Sequence, residues 1–187
     1  MTNASETIAL RCRCGKLRGR VDGKRVAARA VCYCKDCQAY GHFLGTGVLD
    51  PAGGTEVAAT LPAAVRFDEG GEQLACMSLG PNGIYRWYAR CCRTPIGNTP
   101  RDPRTAYVGL VRACLDAPDE QLARALGPLR CRVRTQSAAA DRPAGEGGRG
   151  AVAGRKEGAD PVGPADGHGA RGGRLSARCA RAGRARA

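Results

Sequence analysis

The sequence predicts a mainly antiparallel β domain with one late helix over residues 1–135, followed by a disordered tail over residues 136–187. Three observations carry this expectation. Short runs that alternate apolar and polar residues, separated by glycine-rich turns, fill the first part as half-buried strands do. Convincing helical periodicity is confined to a single stretch near residue 120. Near Thr135 the composition changes sharply to Gly, Ala, Arg and Pro.

The elements follow in order. TIALRC (7–12) alternates apolar and polar positions, and KLRGRV (16–21) follows the turn residue Gly15. RVAARAVCY (25–33) suits a strand, and a short helix through QAYG (38–41) follows Cys37. AVRFDEGGEQLACMSL (64–79) reads as two strands joined at Glu69-Gly70-Gly71. SLGPNGIYRWYARC (78–91) reads as a hairpin, with turn chemistry at Gly80-Pro81-Asn82-Gly83. TAYVGLVRA (105–113) is a further apolar strand. In PDEQLARAL (118–126), Leu122 and Leu126 share a helix face, Asp116 or Asp119 is placed to cap, and Gly127-Pro128 ends the helix.

Beyond Gln136 the large aliphatic residues are Val152, Val162 and Leu175 alone, too little apolar surface to offset the entropy of ordering the backbone. Both an evolved basic tail and an out-of-frame reading of GC-rich DNA produce such a composition. The segment holds ten basic and five acidic residues, so it carries +5 of the formal charge of +13, leaving +8 for residues 1–135. A mildly basic domain suits an anionic small molecule as well as a phosphate backbone. Nucleic-acid binding is disfavoured, because the aromatics do not interleave with basic residues as a stacking platform requires. The first residues lack the pattern of a secretory signal, and no apolar run reaches the ~18 residues of a membrane helix. A soluble, cytoplasmic protein is therefore expected, with its 11 cysteines reduced.

Reduced cysteines in clusters point to metal or catalysis rather than to disulfides. Three clusters stand out: RCRCG (Cys12, Cys14), CYCKDC (Cys32, Cys34, Cys37) and ARCCRTP (Cys91, Cys92). On a strand, C-x-C sends both sulfurs to one face and makes half a site. C-x-C-x-x-C supplies three ligands from one turn, leaving a fourth position for water or a substrate thiol. A closed site of four and an open site of three match a structural and a catalytic zinc. The plain alternative is that these are small buried hydrophobes. Cys76, Cys114 and Cys131, standing singly in apolar context, are expected in the core, and Cys179 in the tail is a bystander. His42 is set aside as a ligand, Asp36 is read as a turn residue and Arg93 as a solvated side chain. Tyr85, Trp87 and Tyr88 are read as packing residues.

RCRCGKLRG, CYCKDCQAYG and CCRTPIGNT together resemble the glutathione-dependent formaldehyde-activating enzyme family, which also contains the centromere protein V type domain. That family's pattern runs C-x-C-G, then C-x-C-x-x-C before a short helix, then C-x-x-C-G-T-P, and the match covers roughly residues 8–112. The resemblance implies a Mss4-like fold of coiled antiparallel sheets and two zinc ions. Cys12, Cys14 and Cys92 map to the structural zinc, and Cys32, Cys34 and Cys37 to the catalytic one. It further implies a carbon–sulfur lyase type of activity, joining glutathione or another thiol with a small aldehyde or cleaving their adduct. The alternative is a non-catalytic, zinc-stabilised binding domain. The chain departs from the pattern in having Ala89 where the family has a cysteine, Cys91 as an extra thiol, and Arg93 in place of glycine. Adjacent strand residues face opposite ways, so Cys91 and Cys92 share one zinc only if the chain turns there, as Thr94-Pro95 favours. An extended strand would instead send Cys91 toward the trio and close it.

Overall fold

The computed structural model describes residues 7–45 and 47–139. The described chain is mainly β, with two α-helices and no closed barrel. A three-stranded sheet has the order β1 (Thr7–Arg11), β2 (Arg18–Asp22), β5 (Val65–Glu69). A seven-stranded sheet has the order β10 (Leu129–Val133), β3 (Ala28–Cys32), β4 (Thr55–Thr60), β9 (Val108–Val111), β8 (Thr94–Thr99), β7 (Tyr85–Ala89), β6 (Leu74–Met77). All neighbours are antiparallel except β10, which runs parallel to β3.

The core lies between the sheets. Ile8, Leu10 and Val21 from the small sheet meet Ala58, Trp87, Ile96 and Leu110 from the large one. Helix α2 (Asp119–Leu126) adds Leu122 and Leu126 to this core, each worth about 2 kcal/mol when fully buried. Trp87 satisfies its indole N–H on Thr99 Oγ1 at 2.9 Å, so the ring costs no unpaired polar atom. Helix α1 (Lys35–Leu44) covers the other face of the large sheet. Its buried Tyr40 donates to the Trp87 carbonyl, and Gly41 admits Leu49 so closely that any Cβ there would collide with it.

Most expected elements are present, with instructive differences. Helix α1 is longer than QAYG and begins ahead of Cys37, because Cys34 caps it. Neither Asp116 nor Asp119 caps α2: Pro118 stands at that position, Asp116 pairs with Arg11 at 2.7 Å, and Asp119 pairs with Arg112 at 2.7 Å. The two strands around Glu69-Gly70-Gly71 belong to different sheets. Gly70 makes that crossing possible, with φ of 69° and its backbone against the Lys16 carbonyl, where a side chain would not fit. Strands β4, β8 and β10 were not expected. TPIGNT hides β8 because proline and glycine argue against a central strand, yet Pro95 sits at the bulge opposite Trp87 and Tyr88. Cys114 is buried as expected, Cys76 is half-buried on β6, but Cys131 is exposed on the edge strand β10 rather than in the core.

The hydrogen-bonded chain continues past Thr135. Gln38 Nε2 donates to the Ser137 carbonyl at 2.7 Å, and Ala139 N donates to the Ala52 carbonyl at 3.0 Å. The tail expected to be disordered lies outside the described residues from 140 onward. Comparing chains ended after Thr135 and after Ala139 should therefore show the shorter one less stable by about 1–2 kcal/mol in urea, one increment per lost hydrogen bond. Equal midpoints would show that residues 136–139 contribute nothing. Among the described residues no helix is long and apolar enough to cross a membrane.

Candidate metal centres

Cys12 and Cys14 do not lie on a strand. They sit in the turn after β1, where Gly15 N donates to the Cys12 carbonyl at 2.9 Å with φ of 75°, and Leu17 N donates to Cys12 Sγ at 3.3 Å. The second half of this cluster is a turn between β7 and β8. Arg93 N donates back to the Ala89 carbonyl at 2.8 Å, and Arg93 takes the left-handed φ of 56°. The turn brings both adjacent sulfurs to the same side. Cys12, Cys14, Cys91 and Cys92 thereby place their sulfurs within 4.8 Å of one another. Four sulfurs at about 2.3 Å from one tetrahedral zinc would stand about 3.8 Å apart. The observed separations are 3.5 Å for Cys12–Cys14, 3.8 Å for Cys12–Cys91, 3.4 Å for Cys14–Cys91 and 3.8 Å for Cys91–Cys92. The donor set fits a closed tetrahedral site.

The surroundings brace it. Thr94 Oγ1 lies 3.1 Å from Cys92 Sγ and accepts from Arg13 N at 2.9 Å, while Arg13 Nη2 donates to the Cys92 carbonyl at 2.7 Å. Burial and the neighbouring thiols Cys14 and Cys12 push Cys91 up to about 12. For Cys92 burial also acts upward, but hydrogen bonds from Thr94 and Cys14 prevail and hold it down at about 6. Thiols that share protons in this way are the arrangement a dication replaces, since its charge removes the mutual repulsion of four thiolates.

The second cluster comes from one short segment. Cys32 ends β3, Cys34 caps α1 and accepts from Cys37 N at 3.4 Å, and Cys37 lies in the first helical turn. The three sulfurs lie within 4.8 Å of one another, and among the described residues no fourth Cys, His, Asp or Glu joins them. Cys91 belongs to the first cluster and does not close the trio. His42 is exposed on α1, five positions beyond Cys37 and so well round the helix. A hydrogen bond from Cys37 is the main cause that lowers Cys32 to about 5, and the same pairing, with burial, pushes Cys37 up.

Arg86 is the group that sequence reasoning missed. It is 2% exposed, its Nη1 lies 3.8 Å from Cys37 Sγ and 3.3 Å from Asn98 Oδ1, and its guanidinium stacks on Tyr40 at 5.4 Å. Its Nη2 also lies 3.6 Å from Asp36 Oδ2, so Asp36 is more than a turn residue. Strand alternation in YRWYA does signal that Arg86 leaves the face opposite Trp87. That α1 covers this face is not written in the strand. Arg93 is exposed, as expected, and its guanidinium lies over Phe43 at 5.6 Å, joining the two clusters' supporting elements. Trp87 packs in the core as expected, whereas Tyr85 and Tyr88 are half-buried against Arg101 and Phe43. Cys179 lies outside the described residues.

Residues 4–151 match the family of unknown function DUF6151. The chain belongs to that family. No curated protein matches it. Among solved structures, it is similar to a Rhodobacter sphaeroides protein determined as a structural-genomics target. The two share 19% identity with a TM-score of 0.44, over 66% of this chain and 98% of that one. Membership in DUF6151 and the two cysteine clusters, compatible with metal binding, are the firm ground for a functional reading.

Proposed function

We propose that the protein is a zinc-dependent carbon–sulfur lyase acting on adducts of a glutathione-like thiol with small aldehydes. The observation that carries this reading is the asymmetry between the clusters: four cysteines in one, three in the other, with no further ligand of the usual kinds beside the trio. A structural site uses four protein ligands, whereas a catalytic one leaves a position for the reactant. The resemblance of all three cysteine motifs to the glutathione-dependent formaldehyde-activating enzymes, with their Mss4-like fold, supports the same reading. So does the left-handed backbone at Arg93, a position suited to the glycine that family carries there.

In this reading Cys12, Cys14, Cys91 and Cys92 hold a structural zinc, and Cys32, Cys34 and Cys37 hold the second ion. Zinc bound there supplies Lewis acidity, lowering the pKa of a thiol placed on it so that the thiol reacts as thiolate. Arg86 offsets the negative charge of the three cysteine sulfurs and fixes Cys37 through its contact. Half-buried Cys32 and Cys34 leave the trio approachable, while Cys37 and Arg86 beneath it exclude water.

A non-catalytic binding domain is the second reading, and one observation favours it. A cleft of about 430 Å³, lined by Val31, Leu49, Asp50, Glu56, Arg112 and Asp119 among others, includes none of the trio cysteines. A reactant at the trio must then be small or lie mostly outside. Metal analysis with glutathione binding tests the two readings. Two zinc ions per chain, with glutathione perturbing the visible bands of the cobalt-substituted protein, are expected. Two ions without any response to thiol would favour the binding domain, and no metal would sink both.

A further inference from the structure

Thr55 opens β4 directly opposite Cys32 in the antiparallel pair β3–β4. Residues opposite each other in such a pair send their side chains from the same face of the sheet, about 5 Å apart at Cβ. Thr55 therefore stands beside the trio. It is 1% exposed, and its Oγ1 is the buried side-chain polar atom without a hydrogen-bond partner among the described residues. An unpaired buried hydroxyl is a net cost to folding, whereas valine has the same shape and carries no such group. Two other polar groups on this face, Arg86 and Asn98, are already engaged. Arg86 contacts Cys37, Asn98 and Asp36, and the Asn98 side chain receives Arg86. Strand register carries Asn98 opposite Gly109, whose missing side chain leaves room for the Tyr107 ring.

We propose that the Thr55 hydroxyl is the hydrogen-bond donor to the small anionic ligand, a thiolate or hydroxide, that completes the metal held by Cys32, Cys34 and Cys37. This rests on the reading of the trio as an open metal site. The hydroxyl has one proton to give and is aligned with the cysteine on the half-buried side of the trio. Thr55 is thus a positioning residue: it holds the ligand and takes no part in bond making. Its β-branch restricts χ1, so the donor has few positions open to it before the ligand arrives.

The test uses the full chain loaded with cobalt(II) and titrated with 2-mercaptoethanol, followed by the visible d–d bands and by cobalt content. Thr55→Val is expected to keep two cobalt ions and to bind the thiol roughly tenfold more weakly, as loss of a hydrogen bond to a charged group predicts. Thr55→Ser should restore binding to within about threefold of the native protein, since the donor returns. Unchanged thiol affinity in Thr55→Val, above all with a higher melting temperature, would show a mere orphan hydroxyl and overturn the proposal. Loss of the second cobalt from Thr55→Val alone would assign Thr55 to holding the metal, and would overturn it too. A native protein that takes up one cobalt, or two without response to thiol, fails the open-site reading itself, and this proposal with it.

Discussion

Cys91→Ala is expected to destabilise the domain strongly, lowering its melting temperature by well over a few degrees and weakening metal retention at the first cluster. Cys91 approaches Cys12, Cys14 and Cys92 within 3.4–3.8 Å, so its loss opens a set of four ligands to three. The cluster ties the turn after β1 to the turn before β8, across a sequence separation of 79 residues. A cross-link over such a loop is worth about 4–5 kcal/mol in chain entropy alone. Metal binding free energy adds to this, because an unfolded chain has no preformed site. Cys12, Cys14 and Cys92 still join the two turns, so Cys91→Ala loses a part of this sum, which is large against a total stability of about 5–15 kcal/mol for a whole domain. Circular dichroism and zinc content measure the outcome. A cooperative transition within a few degrees of the native one, with two zinc ions retained, would remove Cys91 from the structural site.

Cys34→Ser should act in the opposite way: a folded domain with one metal instead of two. The three sulfurs of this cluster come from a six-residue segment, so the cross-link spans almost no loop and contributes little chain entropy. What is lost is a capping interaction, since Cys34 Sγ accepts from Cys37 N at the start of α1. Serine is itself a strong N-cap, so the helix should stand with a change of about 1 kcal/mol or less. Zinc content near one per chain, with a melting temperature close to native, is the expected pair of results. If both Cys34→Ser and Cys91→Ala unfold the chain equally, the clusters share one structural role.

The cysteines announced the two clusters because soft metal ligands are a matter of residue type and spacing, both present in the chain. What closes the first cluster was legible only as a choice between turn and strand. Arg93 decides it by occupying a left-handed conformation that arginine seldom takes, a choice made by the cluster around it rather than by local propensity. Strand β8 was hidden by Pro95 and Gly97, residues tolerated at a bulge and at the close approach of β9. Cys131 looked apolar in sequence and is exposed, since β10 forms an edge whose burial depends on what lies beside it. Thr55 and Arg86 could not be singled out at all. The burial of Arg86 follows from α1 lying over its face of the sheet, a fact of tertiary packing that no strand pattern contains.

The 79-residue separation between Cys12 and Cys91 also bears on how the protein is made. Ribosomes add roughly 5–20 residues per second, so Cys12 and Cys14 wait about 4–16 s for the partners that complete their site. The trio is contiguous, and its last ligand follows its first after five residues. A nascent chain can thus offer a finished three-sulfur site long before the four-sulfur one exists. Metal capture during translation would begin at the three-sulfur cluster and end at the four-sulfur one, and for those seconds two early thiols stand open to oxidants and to the wrong ion.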